Sequence, residues 1–325
     1  MVKLRIMSDL HYTAGINGRY TEETPKDSLL WSTFEEKFKQ NKDCINLLAG
    51  DICEGVNNHK EVFENFFTNQ KVIFIDGNHI CYERGKPILQ DLKKALKKEF
   101  PIDHLLWNYL ENSWIWLDNE TAIIGSTFYT DYEYCDLTLE EINKIQRQYD
   151  VWSLLYGLPC RSEPIKKLTK KTIRKECMIE ASARLNDFKW GKENNKYNLS
   201  PEYYLKLHKL AKKEVKRCHD EICNINPNAK IVLMTHHCLS PKCISEEYKK
   251  GLMNASYTSD LEKWVDDELN NVRLVISGHV HNRNDFTFGK RNVRYICNPC
   301  GYIPYKEDIK GVYFNPNLII DTNEL

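Results

Sequence analysis

Short apolar runs, each closed by an acid, an amide or a histidine, recur along this chain and constrain its fold more than any other feature. Residues 3–7 end in Ser8-Asp9-Leu10-His11, and Cys44-Ile45-Asn46-Leu47-Leu48-Ala49 is closed by Gly50-Asp51. Lys71-Val72-Ile73-Phe74-Ile75 leads into Asp76-Gly77-Asn78-His79, and residues 230–234 lead into Thr235-His236-His237. Residues 272–277 run into Gly278-His279-Val280-His281. Apolar runs this short, bounded by turn-forming residues, read as buried strands. Helical spacing of apolar residues appears between them at 27–39, 60–68, 88–100 and 259–269. Further strands are expected at 121–125 and 293–297, with a closing hairpin of 311–314 and 318–321. Strands that alternate with helices define a layered α/β domain, whose ligand site lies beyond the carboxyl ends of the strands.

The middle of the chain departs from this rhythm. Residues 137–225 read as helical, and 161–217 hold 17 Lys/Arg against 7 Asp/Glu, a local net of 17 − 7 = +10. Lys+Arg and Asp+Glu are 46 each over the whole chain, so this charge is a local feature. The expectation is one domain over 1–325 that carries a helical, basic insertion at 137–225. Its charge is either a solvated helical face or a wall that attracts an anionic substrate, nucleic acid included. The chain shows no signal-peptide pattern at its start and no apolar run of the roughly 18–20 residues that would span a bilayer. Its 12 cysteines are scattered, and the single Cys-x-x-Cys spacing, Cys297-Asn298-Pro299-Cys300, has no second such pair to complete a structural zinc site. These features lead to the expectation of a cytoplasmic protein with reduced thiols and no membrane association.

Metal-capable side chains follow five of the strands: Asp9 and His11, Asp51, Asn78 and His79, His236 or His237, and His279 with His281. Mixed oxygen and imidazole donors without thiolate suit divalent Mn, Fe, Zn, Ni or Co, with manganese the first expectation. That many ligands are too many for one catalytic ion that keeps open positions. Two ions sharing a carboxylate, roughly 3.5–4 Å apart, form a clamp for in-line displacement at phosphorus. His236 and His237 are neighbours on a strand end and point oppositely, so they are not expected to ligate together.

Asp-x-His, Gly-Asp, Gly-Asn-His, His and Gly-His-x-His, in this order from residue 4 to about 304, resemble the calcineurin-like metallophosphoesterase superfamily. Residues 125–131 (Gly-Ser-Thr-Phe-Tyr-Thr-Asp), Asn186-Asp187-Phe188 and Asn298-Pro299-Cys300-Gly301-Tyr302 are similar to stretches of its bacterial and phage-type members. The resemblance implies a four-layer α/β/β/α sandwich of two mixed sheets. It implies one metal on Asp9, His11, Asp51 and His281, and a second on Asp51, Asn78, His236 and His279, with Asp51 as the bridge. It further implies hydrolysis of a phosphorylated, anionic substrate by in-line attack of a hydroxide held by both metals, with His79 as general acid.

The chain departs from that family in two places. Ile80 stands where an acidic residue often follows Gly-Asn-His, and Cys300 where an Arg is frequent. Glu54 is a candidate acidic partner for His79, and His237 a candidate for supporting the ligands. Arg283 either touches phosphate or lies on the surface, and Asn298 either reaches the site or caps the turn before Pro299. The rival class is a metal-binding or nucleic-acid-binding module on the same fold without catalysis.

Overall fold

The computed structural model describes residues 2–12, 43–83, 85–155, 165–302 and 314–325, without the side chains of 149 and 151–155. The expected helix at 27–39 and most of the strand at 311–314 lie outside the described residues.

One sheet is built from β1 (Lys3–Met7), β2 (Cys44–Ala49), β3 (Val72–Ile75), β4 (Trp107–Tyr109) and β11 (Ile319–Asp321), in the order β11-β1-β2-β3-β4. All its pairings are parallel except β1 with β11. The second sheet runs β5-β6-β7-β8-β10-β9, from β5 (Ser113–Trp116), β6 (Thr121–Ser126), β7 (Lys230–Thr235), β8 (Val272–Ser277), β9 (Asn284–Phe288) and β10 (Val293–Cys297). Its outer pairs β5–β6 and β9–β10 are antiparallel, and the central pairs are parallel.

Alternation along each strand explains why the runs are apolar throughout. Leu4, Ile6, Leu47, Ala49, Ile73 and Ile75 face Ile123, Val232, Met234, Leu274, Ile276 and Ile296 across the space between the sheets. The opposite faces are buried too. Met7, Leu48, Val72 and Phe74 lie under α1 (Asn57–Phe66) and α2 (Leu89–Glu99), through Val62, Phe63, Leu92 and Leu96. Ala122, Ile124, Ile231 and Leu233 lie under α6 (Pro201–Ile225) and α7 (Glu262–Glu268), through Val215, Ile222 and Val265. Strands buried on both faces need no polar alternation. The layers are therefore α/β/β/α, as the resemblance implies.

The sequence pattern misses β4, β5 and β9. The first two are short edge strands carrying Trp107, Trp114 and Trp116, and β9 is an edge strand of alternating exposure. Edge strands expose part of their surface and so lack a continuous apolar run.

Between β6 and β7 lie α3 (Leu139–Leu155), α4 (Lys170–Arg184), α5 (Asp187–Trp190) and α6. Thr169 and Thr172 form a capping box at the start of α4, and Ser200 caps α6 just before Pro201. The 25-residue α6 is no appendage, because it supplies an outer layer to the second sheet. Cys177 and Ala181 of α4 and Phe188 of α5 join the core of the first sheet's outer face. Among the described residues no helix is long and apolar enough to cross a membrane.

Candidate metal centre

Parallel strands in register end together, and the metal-capable residues sit at those ends. Past β1 and β2 the two chains stay hydrogen-bonded: the Asp9 amide donates to the Gly50 carbonyl at 3.0 Å and the His11 amide to the Asp51 carbonyl at 3.0 Å. The sheets are tied at the same level, since His236 Nδ1 donates to the Ala49 carbonyl at 3.0 Å. That bond directs Nε2 of His236 into the cleft, an arrangement common for metal-binding histidine.

Five of the site residues adopt left-handed backbone conformations: Asp9 (φ 52°), His11 (45°), Asp51 (48°), His279 (71°) and His281 (44°). Each costs roughly 1–3 kcal/mol, so the five together approach the net stability of an ordinary domain. Only a rigid double sheet beneath them sustains such strain. Its consequence is geometric, because strand parity stops at the strand end and residues one apart can aim at different places. Gly77 and Gly278 permit the close packing of these turns. A Cβ on Gly77 would lie 2.0 Å from Asp51 Oδ1, and one on Gly278 would lie 2.5 Å from Asp9 Oδ2.

The side chains form two groups. In the first, His281 Nε2 lies 3.6 Å and His11 Nε2 4.0 Å from Asp9 Oδ1, and the two imidazole nitrogens are 2.9 Å apart. In the second, His236 Nε2 lies 3.2 Å from Asp51 Oδ2 and 3.1 Å from Asn78 Oδ1, with the His279 ring centred 5.0 Å from that of His236. One ligand atom each from Asp51, His236 and His279 falls within a 4.8 Å span, and so does one each from Asp9, His11 and His281. Asp51 also shares such a span with His11 and His79, so it touches both halves of the cleft. Backbone amides fix both carboxylates: His79 donates to Asp51 Oδ1 at 2.9 Å, and His279 to Asp9 Oδ1 at 2.9 Å.

This donor set fits the expected ions on two observations. His279 Nε2 is buried and, among the described residues, has no hydrogen-bond partner, a state that burial makes costly unless a cation takes the lone pair. The His11 and His281 nitrogens converge on each other at 2.9 Å, as ligands of one ion would. Proximity alone also places His79 beside His11 and Asp51, with His79 Nε2 3.9 Å from Asp51 Oδ2.

Electrostatics separate the histidines. Burial, reinforced by neighbouring histidines, pushes His11 and His279 well below the ordinary histidine value. For His236 burial also pulls downward, but Asp51 and Asp9 outweigh it and raise the group to about 9. Burial opposes ionisation of Asp51, yet His236 and His79 hold it well below the usual carboxylate range. In protein stripped of metal, the His236 contribution to stability is complete below the unfolded value of about 6.5 and is lost as pH rises towards 9. His11 and His279 act oppositely, since the unfolded chain takes up their protons as pH falls below about 6.5. The stripped protein should therefore be most stable near pH 6.5. Urea-unfolding midpoints across pH 5–9 check this, and a midpoint that climbs steadily to pH 9 would contradict it.

Other candidates fall into place. His237 turns aside: its ring packs 4.2 Å from His279 and 5.1 Å from Tyr129. Asn298 is fully buried and, among the described residues, its side chain bonds to backbone, donating to the Ile6 and Asn315 carbonyls at 2.8 Å each and accepting from the Asn315 amide at 3.0 Å. Arg283 is exposed and Glu54 buried. Cys300, at the position where relatives often carry Arg, is buried in the core.

Sequence reasoning missed a buried polar network beside the site. Lys93 of α2 contacts Asp76 at 3.0 Å, Glu111 at 2.8 Å and Thr127 at 2.7 Å. The Thr127 carbonyl in turn accepts from the His236 and His237 amides at 3.3 Å. The signal was present, because Lys93 falls on the apolar stripe Leu89, Leu92, Leu96. Tyr302 also lies beside the site. The Cys300 and Gly301 amides pair with the Ser8 and Asp9 carbonyls at 2.9 Å, which stacks Tyr302 on His11 at 4.2 Å.

The sulfurs of Cys238, Cys243 and Cys297 gather within 4.8 Å of one another although their spacing gives no metal pattern. The Cys238 sulfur lies 3.3 Å from the Gly278 carbonyl, and all three belong to the apolar core of the second sheet.

Neither a protein-family model nor a curated protein matches the chain. Among solved structures, phosphopantetheinyl hydrolase from Mycobacterium tuberculosis aligns with a TM-score of 0.59 and 18% identity, over 95% of this chain and 92% of that one. A provisionally assigned 5′-nucleotidase from Staphylococcus aureus aligns at 0.42 and 12% identity, over 91% of this chain and 48% of that one. Sulfate thiohydrolase SoxB from Thermus thermophilus aligns at 0.39 and 10% identity, over 91% and 51%. The chain spans about half the length of these last two. The first match shows the fold alone: this chain shares its two-sheet architecture with that hydrolase.

Proposed function

We propose that the protein is a binuclear metal-dependent phosphoesterase. The observation that carries this reading is the convergence of Asp9, His11, Asp51, Asn78, His236, His279 and His281 into two groups that meet at Asp51. The shared fold with a phosphopantetheinyl hydrolase supports it. Asp9, His11, Asp51 and His281 would hold one divalent cation, and Asp51, Asn78, His236 and His279 the other. Bound there, the cations supply Lewis acidity that activates water near neutral pH and neutralises phosphoryl oxygens.

The chain's own residues do the rest. The Ala49 carbonyl and the His79 and His279 amides hold His236, Asp51 and Asp9 in place, so the ligands do not reorganise during turnover. His79 presents Nε2 to the cleft beside Asp51 and delivers a proton to the departing oxygen. The test is hydrolysis of a phosphomonoester and a phosphodiester by protein loaded with Mn²⁺, Ni²⁺ or Zn²⁺. No turnover of either ester with any of the three metals would favour a binding module instead. Steep salt inhibition on nucleic acid, but not on a small chromogenic ester, would identify a polyanionic substrate.

The two histidines of Gly278-His279-Val280-His281 serve different ions in this reading. His281→Ala should lower metal content without removing the cation held with His236, and His279→Ala should do the converse. Metal analysis combined with Mn²⁺ electron paramagnetic resonance on the two variants distinguishes them. Loss of the same ion from both would contradict the division.

A further inference from the structure

Ile80 leaves His79 without the acidic neighbour that family members often place there, and Ile80 itself is buried in the core. A buried carboxylate nonetheless acts on His79 from 108 positions further along the sequence. The Tyr82 ring packs on the His79 imidazole, with centroids 4.0 Å apart and planes 30° from parallel. Its hydroxyl donates to Asp187 Oδ2 at 2.7 Å, and Tyr204 of α6 donates to Asp187 Oδ1 at 3.0 Å.

Asp187 is 2% exposed, and among the described residues no Lys or Arg pairs with it. Burying an ion without a counter-charge is expensive. Two phenol donors in a charge-assisted arrangement offset part of that cost, and they make the contact rigid and directional. An apolar residue would fill the space at less expense but would not fix the Tyr82 ring. The Tyr302 hydroxyl meets His79 Nε2 at 3.0 Å.

We propose that Asp187, supplied by the helical segment between β6 and β7, is a positioning residue for His79. It anchors Tyr82, whose ring holds the imidazole with Nε2 directed at the cleft. The helical segment thereby completes the acid catalyst from outside the double sheet. This inference rests on the phosphoesterase reading and on His79 as its acid.

Tyr82→Phe and Asp187→Asn keep the shapes and remove the anchor. Both should retain wild-type metal content. Turnover of an alkyl phosphate, whose leaving group needs a proton, should fall roughly 10- to 100-fold, the scale of a misplaced catalytic group. Turnover of the p-nitrophenyl ester, whose leaving group needs none, should stay within about twofold. In a His79→Ala background, Asp187→Asn should cause no further loss, because the two act as one unit. In metal-stripped protein, the His79 Cε1 proton resonance, shielded by Tyr82, should move in both variants.

Equal losses on both esters, losses that multiply with His79→Ala, or an unmoved resonance would overturn the inference while leaving the phosphoesterase reading intact. A wild-type protein without esterase activity, or a His79→Ala variant insensitive to the leaving group, would overturn the functional reading and this inference with it.

Discussion

Asp51→Asn should yield a folded protein that binds metal poorly and turns over phosphoesters at least roughly 10³-fold more slowly, the equivalent of about 4 kcal/mol of transition-state stabilisation. The change is nearly isosteric. The side-chain carbonyl of Asn can still accept the His79 amide that Asp51 Oδ1 accepts at 2.9 Å, so the turn at Gly50-Asp51 keeps its bond. What is lost is the second anionic oxygen, Oδ2, which lies 3.2 Å from His236 Nε2 and 3.9 Å from His79 Nε2. No other carboxylate falls in both halves of the cleft among the described residues. Unmodified Asp51 is kept ionised by His236 and His79 against the effect of burial, so the anion is available at any neutral pH. Elemental analysis with steady-state kinetics checks the prediction. Full metal occupancy with normal turnover would remove Asp51 from the bridging role.

His79→Ala should separate chemistry from metal binding. Proximity would allow His79 to be a ligand, since its Nε2 shares a 4.8 Å span with donors from His11 and Asp51. Its ring is, however, bracketed by Tyr82 and by the Tyr302 hydroxyl at 3.0 Å, contacts that suit a proton carrier more than a ligand. The variant should therefore keep its metal and lose roughly 10²- to 10⁴-fold in turnover of esters with poor leaving groups, the usual scale of general acid catalysis. Esters of p-nitrophenol should be far less affected. Loss of metal in this variant would make His79 a ligand, and unchanged turnover of an alkyl ester would remove it as the acid.

Much of the site is legible in the sequence because its parts are local. Each metal-capable residue lies within a few positions of an apolar run, and strand periodicity alone places it at a carboxyl end. Asp9, Asp51, Asn78 and His279 need no distant information to be found. The choice of His236 over His237 is harder, because both follow β7 directly. The Ala49 carbonyl on the other sheet fixes one ring, while Thr127, Tyr129 and His279 surround the other. Lys93 could have been found, since a lysine on an apolar helical stripe must be paired if it is buried. The edge strands β4, β5 and β9 could not, because half-exposed strands carry no continuous apolar signal.

The sequence by itself determined which chemistry is available. It specified oxygen and imidazole donors without thiolate, set at strand ends of a domain whose strands are apolar on both faces. Only the tertiary structure decided how those donors divide. His279 and His281 are one residue apart, yet left-handed backbone at both positions sends one towards Asp51 and His236 and the other towards Asp9 and His11. The tertiary structure also decided what surrounds His79, because Tyr82, Tyr302 and Asp187 come from segments far apart in the chain. The physical reason is the same in both cases. Periodicity and turn chemistry act over a few residues, whereas the direction of a side chain past a strand end, and its partners, are set by the packing of segments that local pattern does not connect.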